Sequence, residues 1–203
     1  MIVIIDYKVG NLQSVQAAFK RLGMETVVSR DHQLIRQAKA LVLPGVGAFP
    51  TAMSNLEAFD LIDILNERAA ADVLILGICL GMQVLFEKGT ENGETTGLGL
   101  LKGTVNLIST EEKLPHMGWN QLHLTGNHPL TQKIQEHDEV YFVHSYAADC
   151  PTSEILASTD YGNTQIPAIV GKDNVMGCQF HPEKSGKIGQ LILTAFKEMI
   201  ECL

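Results

Sequence analysis

Residues Val73-Leu74-Ile75-Leu76-Gly77-Ile78-Cys79-Leu80-Gly81 form an apolar run that ends at a glycine-flanked cysteine. Such a run is typical of a strand that is buried on both faces of a parallel sheet. The glycines on either side of Cys79 permit a sharp turn and keep bulky side chains away from the sulfur. We expect a helix to begin near Leu80 and to continue through Phe86. Because a helix N-terminus favours negative charge, the pattern predicts a nucleophilic cysteine.

Short apolar strands and amphipathic helices alternate on the N-terminal side of this run. Strands are predicted at residues 2–5, 25–28, 40–43 and 73–76, and helices at 12–22, 34–35, 51–56 and 60–70. This alternation indicates an α/β fold with a mostly parallel central sheet and helices on both faces.

The second half of the chain changes to strands and turns. Strands are predicted at residues 104–108, 118–124, 139–143, 155–158, 168–171 and 175–180, and a closing helix at 188–199. We expect these additional strands to be antiparallel and to complete the same sheet. No linker or repeat interrupts the chain, so residues 1–203 are predicted to form a single domain.

A second reactive pattern, Gln179-Phe180-His181-Pro182-Glu183, lies about a hundred residues beyond the cysteine. Residues two apart share one face of a strand, so His181 and Glu183 can lie side by side, with Pro182 ending the strand pairing. A carboxylate beside an imidazole fixes its tautomer and stabilises its protonated form. Cys79 as nucleophile, His181 as base and acid, and Glu183 as orienting group would complete a triad.

The loop Pro44-Gly45-Val46-Gly47 follows the third predicted strand. Its spacing matches neither common phosphate-binding glycine motif. Near a cysteine nucleophile, backbone N–H groups of Val46 or Gly47, together with that of Leu80, would form an oxyanion hole. A tight turn without chemical function is the alternative.

Composition excludes several classes of function. The chain is 45% hydrophobic and carries a formal net charge of −8 without any basic run, which argues against a nucleic-acid partner. No stretch reaches the roughly 18 apolar residues that a membrane helix needs. The four cysteines lack paired spacing and the seven histidines form no HxH or HxxxH pair, so we expect a cytoplasmic protein without a metal or cofactor.

Taken together, GICLGMQ around Cys79, QFHPE around His181 and the PGVG loop resemble the class I (triad) glutamine amidotransferases, which have a flavodoxin-like fold. The resemblance implies hydrolysis of L-glutamine to glutamate and ammonia through a glutamyl thioester. It also implies that Gln83 and Glu91 help to hold the amino-acid portion of glutamine. The same pocket would be lined by His144, Ser145 and Tyr146.

Finer motifs, PHMGWN at residues 115–120 and HPEKSG at 181–186, are similar to one branch of this family. In that branch the ammonia passes to a separate (β/α)8-barrel cyclase subunit in histidine biosynthesis. The resemblance implies that the partner-facing positions are Asn11, Trp119, Asn120, Tyr141 and Lys184.

Two alternatives stay open at this point. One is a glutaminase that serves anthranilate, aminodeoxychorismate or pyridoxal phosphate synthesis. The other is a non-enzymatic flavodoxin-like binding protein with an incidental reactive cysteine.

Overall fold

The computed structural model describes residues 1–202 as a mixture of helices and strands. In chain order the elements are β1 (Ile2–Ile5), α1 (Leu12–Arg21), β2 (Thr26–Ser29), α2 (His32–Gln37), β3 (Ala40–Gly45), α3 (Phe49–Ala58), α4 (Leu61–Ala70), β4 (Leu74–Cys79), α5 (Leu80–Gln83), β5 (Phe86–Gly89), β6 (Thr95–Thr96), β7 (Leu101–Leu107), β8 (His116–Gln121), β9 (His123–Leu124), β10 (Glu139–His144), β11 (Tyr146–Asp149), β12 (Ile155–Tyr161), β13 (Thr164–Lys172), β14 (Val175–Cys178) and α6 (Gly186–Glu201). Single 3-10 turns lie at Pro129–Thr131, Thr152–Glu154 and Pro182–Lys184.

The central sheet has eight strands in the order β2-β1-β3-β4-β14-β13-β12-β9. Its first five strands are mutually parallel, and β13, β12 and β9 continue it as antiparallel neighbours. One apolar layer, with side chains from α2, α3 and α4, covers one face, and a second layer, with α1 and α6, covers the other. The prediction of a mostly parallel α/β sheet with helices on both faces is therefore confirmed.

Two smaller sheets lie outside the central one, with strand orders β11-β7-β5-β6 and β10-β8. The expectation that every later strand completes the central sheet is therefore wrong for β7, β8 and β10. The burial of β7 explains the difference: Leu101 and Val105 are buried, whereas Lys102 is exposed and Thr104 and Asn106 are only partly buried. A strand with only one buried face does not fit a position covered by helices on both sides.

The helix after Cys79 is much shorter than its sequence predicts. It ends at Gln83, and Phe86 begins β5. Val84, Leu85 and Phe86 are all fully buried, so this segment has no polar face. Apolar spacing cannot separate helix from turn in a segment that is buried on every side.

No helix within residues 1–202 has both the length and the apolar character needed to cross a bilayer.

Candidate active site

One cavity of about 360 Å³ opens where β3, β4 and β10 end, and we call it the Cys79 cavity. Segments that are far apart in the chain meet there, as expected for the carboxyl edge of a parallel sheet. The lining residues are Val46, Gly47, Cys79, Leu80, Gln83, Glu91, Val143, His144, Ser145, Tyr146 and His181.

The turn that carries Cys79 is tight and unusual. Cys79 has φ 54° and ψ −114°, a conformation that residues with side chains rarely adopt. Two residues later the chain passes against β3 so closely that a Cβ added to Gly81 would lie 1.6 Å from the Leu43 carbonyl oxygen. The glycine is therefore required by the close approach of two backbones, and the turn places the sulfur at the cavity wall.

His181 and Glu183 are direct neighbours, with 2.8 Å between Nδ1 and Oε1. The two residues do not share a strand face as predicted, because β14 ends at Cys178 and Glu183 lies in a 3-10 turn. The backbone of His181 is held at both ends. Its N–H donates to the Tyr141 carbonyl at 3.1 Å, and its carbonyl accepts from the Ser185 hydroxyl at 2.7 Å.

The electrostatic setting of His181 favours its protonated form. Burial alone would lower its pKa, but hydrogen bonding and negative charge from Cys79 and Glu183 raise the pKa of His181 to about 9. Its Nε2 atom nevertheless has no regular hydrogen-bond partner among the described residues. Cys79 and His181 both line the cavity, so a molecule bound there would contact both side chains.

Two further atoms approach the sulfur of Cys79. The Val143 carbonyl oxygen lies 3.9 Å from Sγ, and the Gln179 side-chain amide donates toward it at the same distance. Gln179 is fully buried, and the motif around His181 predicts no role for it. Its signal in the sequence is a polar residue that directly follows the apolar strand β14.

The residues expected to form an oxyanion hole reach the same cavity. Val46 and Gly47 line it from the loop after β3, and Leu80 lines it from the first position of α5. Gly47 has φ +113° with open space around it, a conformation that strongly favours glycine.

Gln83 and Glu91 also line the cavity, and each is held by a backbone contact. Gln83 donates from Nε2 to the Tyr146 carbonyl at 2.9 Å and to Oε1 of Gln179 at 3.0 Å. The Glu91 carboxylate accepts from the N–H of Phe49, the first residue of α3, at 2.8 Å. Glu91 is therefore not simply a solvated loop residue.

The segment 144–146 forms the opposite wall of the cavity. His144 contacts the Tyr146 carbonyl through Nδ1 at 2.9 Å and His116 through Nε2 at 3.1 Å. Burial is the main cause that lowers the pKa of His144, to about 4. The residue is therefore neutral at physiological pH.

None of the five positions expected to face a partner lines the Cys79 cavity. Trp119 is 54% exposed and stands beside Tyr141, with 6.1 Å between the ring centroids. Asn11 caps α1 by accepting from the Ser14 N–H at 3.2 Å. Lys184 is exposed, and Asn120 is half-buried against His116.

A group that could hold a metal ion occurs elsewhere, where sequence patterns indicated none. Among residues 1–202, ligand atoms of His123, Glu136 and His137 lie within 4.8 Å of one another. Glu136 and His137 are adjacent in the chain, but His123 lies 13 residues earlier and joins them only through folding, so no spacing motif reveals the group. None of them lines the Cys79 cavity, and the His123–Glu136 ion pair at 3.0 Å accounts for much of the cluster.

The fold and the cysteine-histidine-glutamate arrangement together define a glutamine amidotransferase. The chain belongs to the glutamine amidotransferase class-I family, whose profile matches residues 3–199. The resemblance and the expectation of an enzyme are therefore confirmed.

Relatives that are similar over their full length carry a more particular name. Imidazole glycerol phosphate synthase subunit HisH of Lactococcus lactis subsp. lactis is 67% identical over 199 residues, which is 98% of each chain. The subunit of the same name from Bacillus cereus is 47% identical over 201 residues, covering 99% of this chain and 96% of the relative.

Solved structures show the same fold at low sequence identity. A glutamine amidotransferase crystal structure matches with a TM-score of 0.77 at 20% identity, covering 100% of both chains. The structure of PurLQS from Thermotoga maritima matches with a TM-score of 0.77 at 19% identity, covering 98% of each chain.

Proposed function

We propose that this chain is the glutaminase subunit of an imidazole glycerol phosphate synthase. It hydrolyses L-glutamine to glutamate and ammonia and passes the ammonia to a (β/α)8-barrel cyclase subunit. The observation that carries the proposal is one cavity lined by both Cys79 and His181, with Glu183 2.8 Å from the imidazole. The full-length similarity to HisH subunits favours this pathway over the other glutaminase branches.

The first half of the reaction forms a thioester. The Cys79 thiolate attacks the side-chain carbonyl carbon of glutamine, so that a C–S bond forms and the carbonyl electrons move to oxygen. Protonated His181 then gives its proton to the departing nitrogen as the C–N bond breaks and ammonia leaves. The raised pKa of His181 suits this step, because the imidazole is already protonated at neutral pH.

The second half of the reaction releases glutamate. Neutral His181 takes a proton from water, and the oxygen attacks the thioester carbon. The C–S bond then breaks and restores the thiolate. Glu183 holds the His181 ring in one orientation throughout and stabilises its charged form.

The negative oxygen that develops in both halves needs hydrogen-bond donors. The N–H of Leu80 at the start of α5 and an N–H of Val46 or Gly47 would supply them. Removing one such donor in comparable enzymes costs roughly 3 kcal/mol of transition-state stabilisation.

The remaining cavity residues would bind the amino-acid end of glutamine. The Glu91 carboxylate suits its ammonium group. Gln83, His144, Ser145 and Tyr146 complete the polar wall around it.

The cyclase would dock on the surface that presents Asn11, Trp119, Asn120, Tyr141 and Lys184. We expect the pair to act in the cytoplasm, with neither membrane nor nucleic acid as a partner. No cofactor is needed, since the thiol and imidazole supply the whole of the chemistry.

Replacing the nucleophile tests the proposal. Cys79→Ala in the two-subunit complex should lower glutamine-dependent synthesis by at least about 10⁴-fold, while synthesis from added ammonium salt persists. A diazo-ketone analogue of glutamine should label the wild-type chain at Cys79, and glutamine should block that labelling.

Cys202→Ala is the matched control, because Cys202 is an exposed free thiol. It should retain both activities and the labelling. Glutaminase turnover that survives in Cys79→Ala would overturn the proposal, whereas loss of both activities would indicate failed folding or docking.

A further inference from the structure

A line of polar contacts runs from the surface of β8 to the wall of the Cys79 cavity. Asn120 Oδ1 lies 2.8 Å from His116 Nε2, and His116 Nδ1 lies 3.1 Å from His144 Nε2. His144 Nδ1 then lies 2.9 Å from the Tyr146 carbonyl oxygen at the cavity wall. The two histidines are directly opposite each other on paired strands, so both are fixed by the β8–β10 register.

Both ends of this line are hydrogen-bond acceptors. The Tyr146 carbonyl can only accept. Asn120 donates from Nδ2 to the Asp160 carbonyl at 3.1 Å, which orients its amide so that Oδ1 faces His116. A proton in either end contact must therefore come from a histidine ring.

The histidine pair is one proton short of satisfying all of its contacts. The three contacts need three N–H groups, but two neutral imidazole rings carry only two. Burial lowers the pKa of both His116 and His144, which opposes uptake of a third proton. The His116 ring also cannot turn away, because it is stacked between Tyr161 and Phe142 with centroids 4.0 and 4.8 Å apart.

The contact between His116 Nδ1 and His144 Nε2 needs a single proton between the two nitrogens. Two bare nitrogens 3.1 Å apart would repel each other, and two N–H groups would clash. The rings can meet this condition only if both carry their proton on Nε2 or both carry it on Nδ1. In the first state Asn120 receives a hydrogen bond, and in the second the Tyr146 carbonyl receives it.

We propose that His116 and His144 form one positioning unit, in which the amide of Asn120 selects a shared tautomer and thereby sets the hydrogen bonding of the Tyr146 carbonyl. Its effect on catalysis rests on the proposed glutaminase function. The Tyr146 carbonyl already accepts a hydrogen bond from Gln83 at 2.9 Å, so without a bond from His144 it still has one donor. Asn120 Oδ1 would have no donor if it lost the bond from His116, so that loss is the more costly one. In the free chain both rings therefore carry Nε2–H.

The unit reaches the reacting sulfur through the cavity wall. The Gln83 amide that donates to Tyr146 also donates to Gln179, and Gln179 donates toward Cys79 Sγ at 3.9 Å. A second donor on the Tyr146 carbonyl competes with Gln83 and shifts these side chains. A contact that turns the Asn120 amide on the partner-facing strand would thus be felt in the cavity.

Nitrogen NMR of the full chain labelled with ¹⁵N-histidine tests the tautomers. Bare and protonated ring nitrogens have well-separated shifts, and His116→Gln and His144→Gln each remove one set of signals for assignment. In the wild type both rings should show Nε2–H. In Asn120→Ala only the Tyr146 acceptor remains, so both rings should change together to Nδ1–H. The exposed His137 serves as an internal reference that should not change.

The proposal would be overturned if the two rings carried opposite tautomers in the wild type, or if the pair carried a third proton. It would also be overturned if Asn120→Ala left the His144 signal unchanged. If Asn120→Ala does not fold, Asn120→Val makes the same test, because valine also lacks an acceptor and suits a strand. Neither result depends on enzymatic turnover, so a failure of the proposed function would be seen separately, as absent glutaminase activity in the wild-type complex.

A kinetic measurement tests whether the His116–His144 unit affects glutamine binding in the Cys79 cavity. With the barrel subunit at a concentration that saturates each variant, so that weakened docking does not contribute, Asn120→Ala should change KM for glutamine by about threefold or more while kcat stays within about twofold. His128→Gln is the control, since this half-buried histidine only caps a 3-10 turn and should leave both constants unchanged. A tautomer change with an unaltered KM would refute the positioning role.

Discussion

Cys79 occupies a strained backbone conformation at the point where β4 becomes α5. A non-glycine residue at φ 54° and ψ −114° costs roughly 1–3 kcal/mol, and such strain persists only where surrounding contacts enforce it. Here the enforcing contacts are the pairing of β4 with β3 and the close passage of Gly81 over Leu43. The strain is concentrated at the residue whose sulfur lines the cavity.

Glu183→Gln removes a charge that raises the pKa of His181. We expect kcat for glutamine hydrolysis to fall, but by less than for loss of Cys79, because the orienting group contributes least to such a triad. Steady-state ammonia release in the two-subunit complex measures this, and wild-type turnover in the variant would contradict it.

The same change should alter stability as a function of pH. The pKa of His181 is raised from an ordinary 6.5 to about 9, so its contribution to stability is complete below about pH 6.5 and is lost as the pH rises through about 9. In Glu183→Gln that loss should occur at lower pH. Thermal unfolding of both proteins between about pH 6 and pH 10 checks the sign.

Tyr7 is fully buried, and its hydroxyl has no hydrogen-bond partner within residues 1–202. Burial raises the pKa of Tyr7, so the hydroxyl stays neutral. Because an unpaired buried hydroxyl destabilises the folded state, Tyr7→Phe should increase the free energy of unfolding by about 1 kcal/mol in urea titrations. Tyr161→Phe is the control: its hydroxyl donates to the Lys113 carbonyl, so that variant should be destabilised.

At the scale of elements, the site depends on α5 lying directly against the end of β3. Both segments contact each other through backbone atoms, with no room for a side chain at Gly81. This contact carries Leu80 and Cys79 to the cavity, beside the loop that holds Val46 and Gly47. The separation between Cys79 and the loop at Val46 and Gly47 is thus fixed by the packing of α5 against β3.

Gly81→Ala tests this packing. The added methyl group must displace Leu43 or α5, so we expect destabilisation of about 1–3 kcal/mol or more and a loss of glutaminase activity. Gly23→Asn, at an open left-handed position after α1, should cost less than about 0.5 kcal/mol. Equal stability of Gly81→Ala and the wild type in urea titrations would contradict the close approach.

At the scale of the whole molecule, large apolar side chains are exposed on β8 and at the Cys79 cavity. Met117 and Trp119 on β8 are 60% and 54% exposed, and Val46 at the cavity is 44% exposed. Exposed tryptophan and methionine of this kind are typical of protein interfaces. This surface fits the docking role proposed for β8.

Trp119→Ala should weaken binding of the barrel subunit by about 2 kcal/mol, or about 30-fold in Kd, because tryptophan is a common interface anchor. Leu107→Ala, a similarly exposed apolar residue on β7, is the matched control and should leave Kd within about twofold. Calorimetric titration of the two subunits measures both. Equal affinities for wild type and Trp119→Ala would place the interface elsewhere.

Much of the molecule was predictable from local patterns in the chain. The first four strands of the parallel sheet follow from local apolar runs, and the proximity of His181 to Glu183 follows from their spacing of two residues. The length of α5 did not follow, because a fully buried segment loses the periodicity that distinguishes helix from strand. The separate sheets did not follow either, because the pairing partners of a half-buried strand such as β7 are set by tertiary packing.

Short-range chemistry thus determined which residues are reactive and which segments are strands or helices, since propensity, glycine turns and apolar spacing act over a few positions. Only the tertiary structure decided that Gln179 donates toward Cys79, that His116 faces His144 and that Glu91 reaches α3. Those contacts join residues 28 to 100 positions apart, and their partners are selected by strand register and the packing of layers.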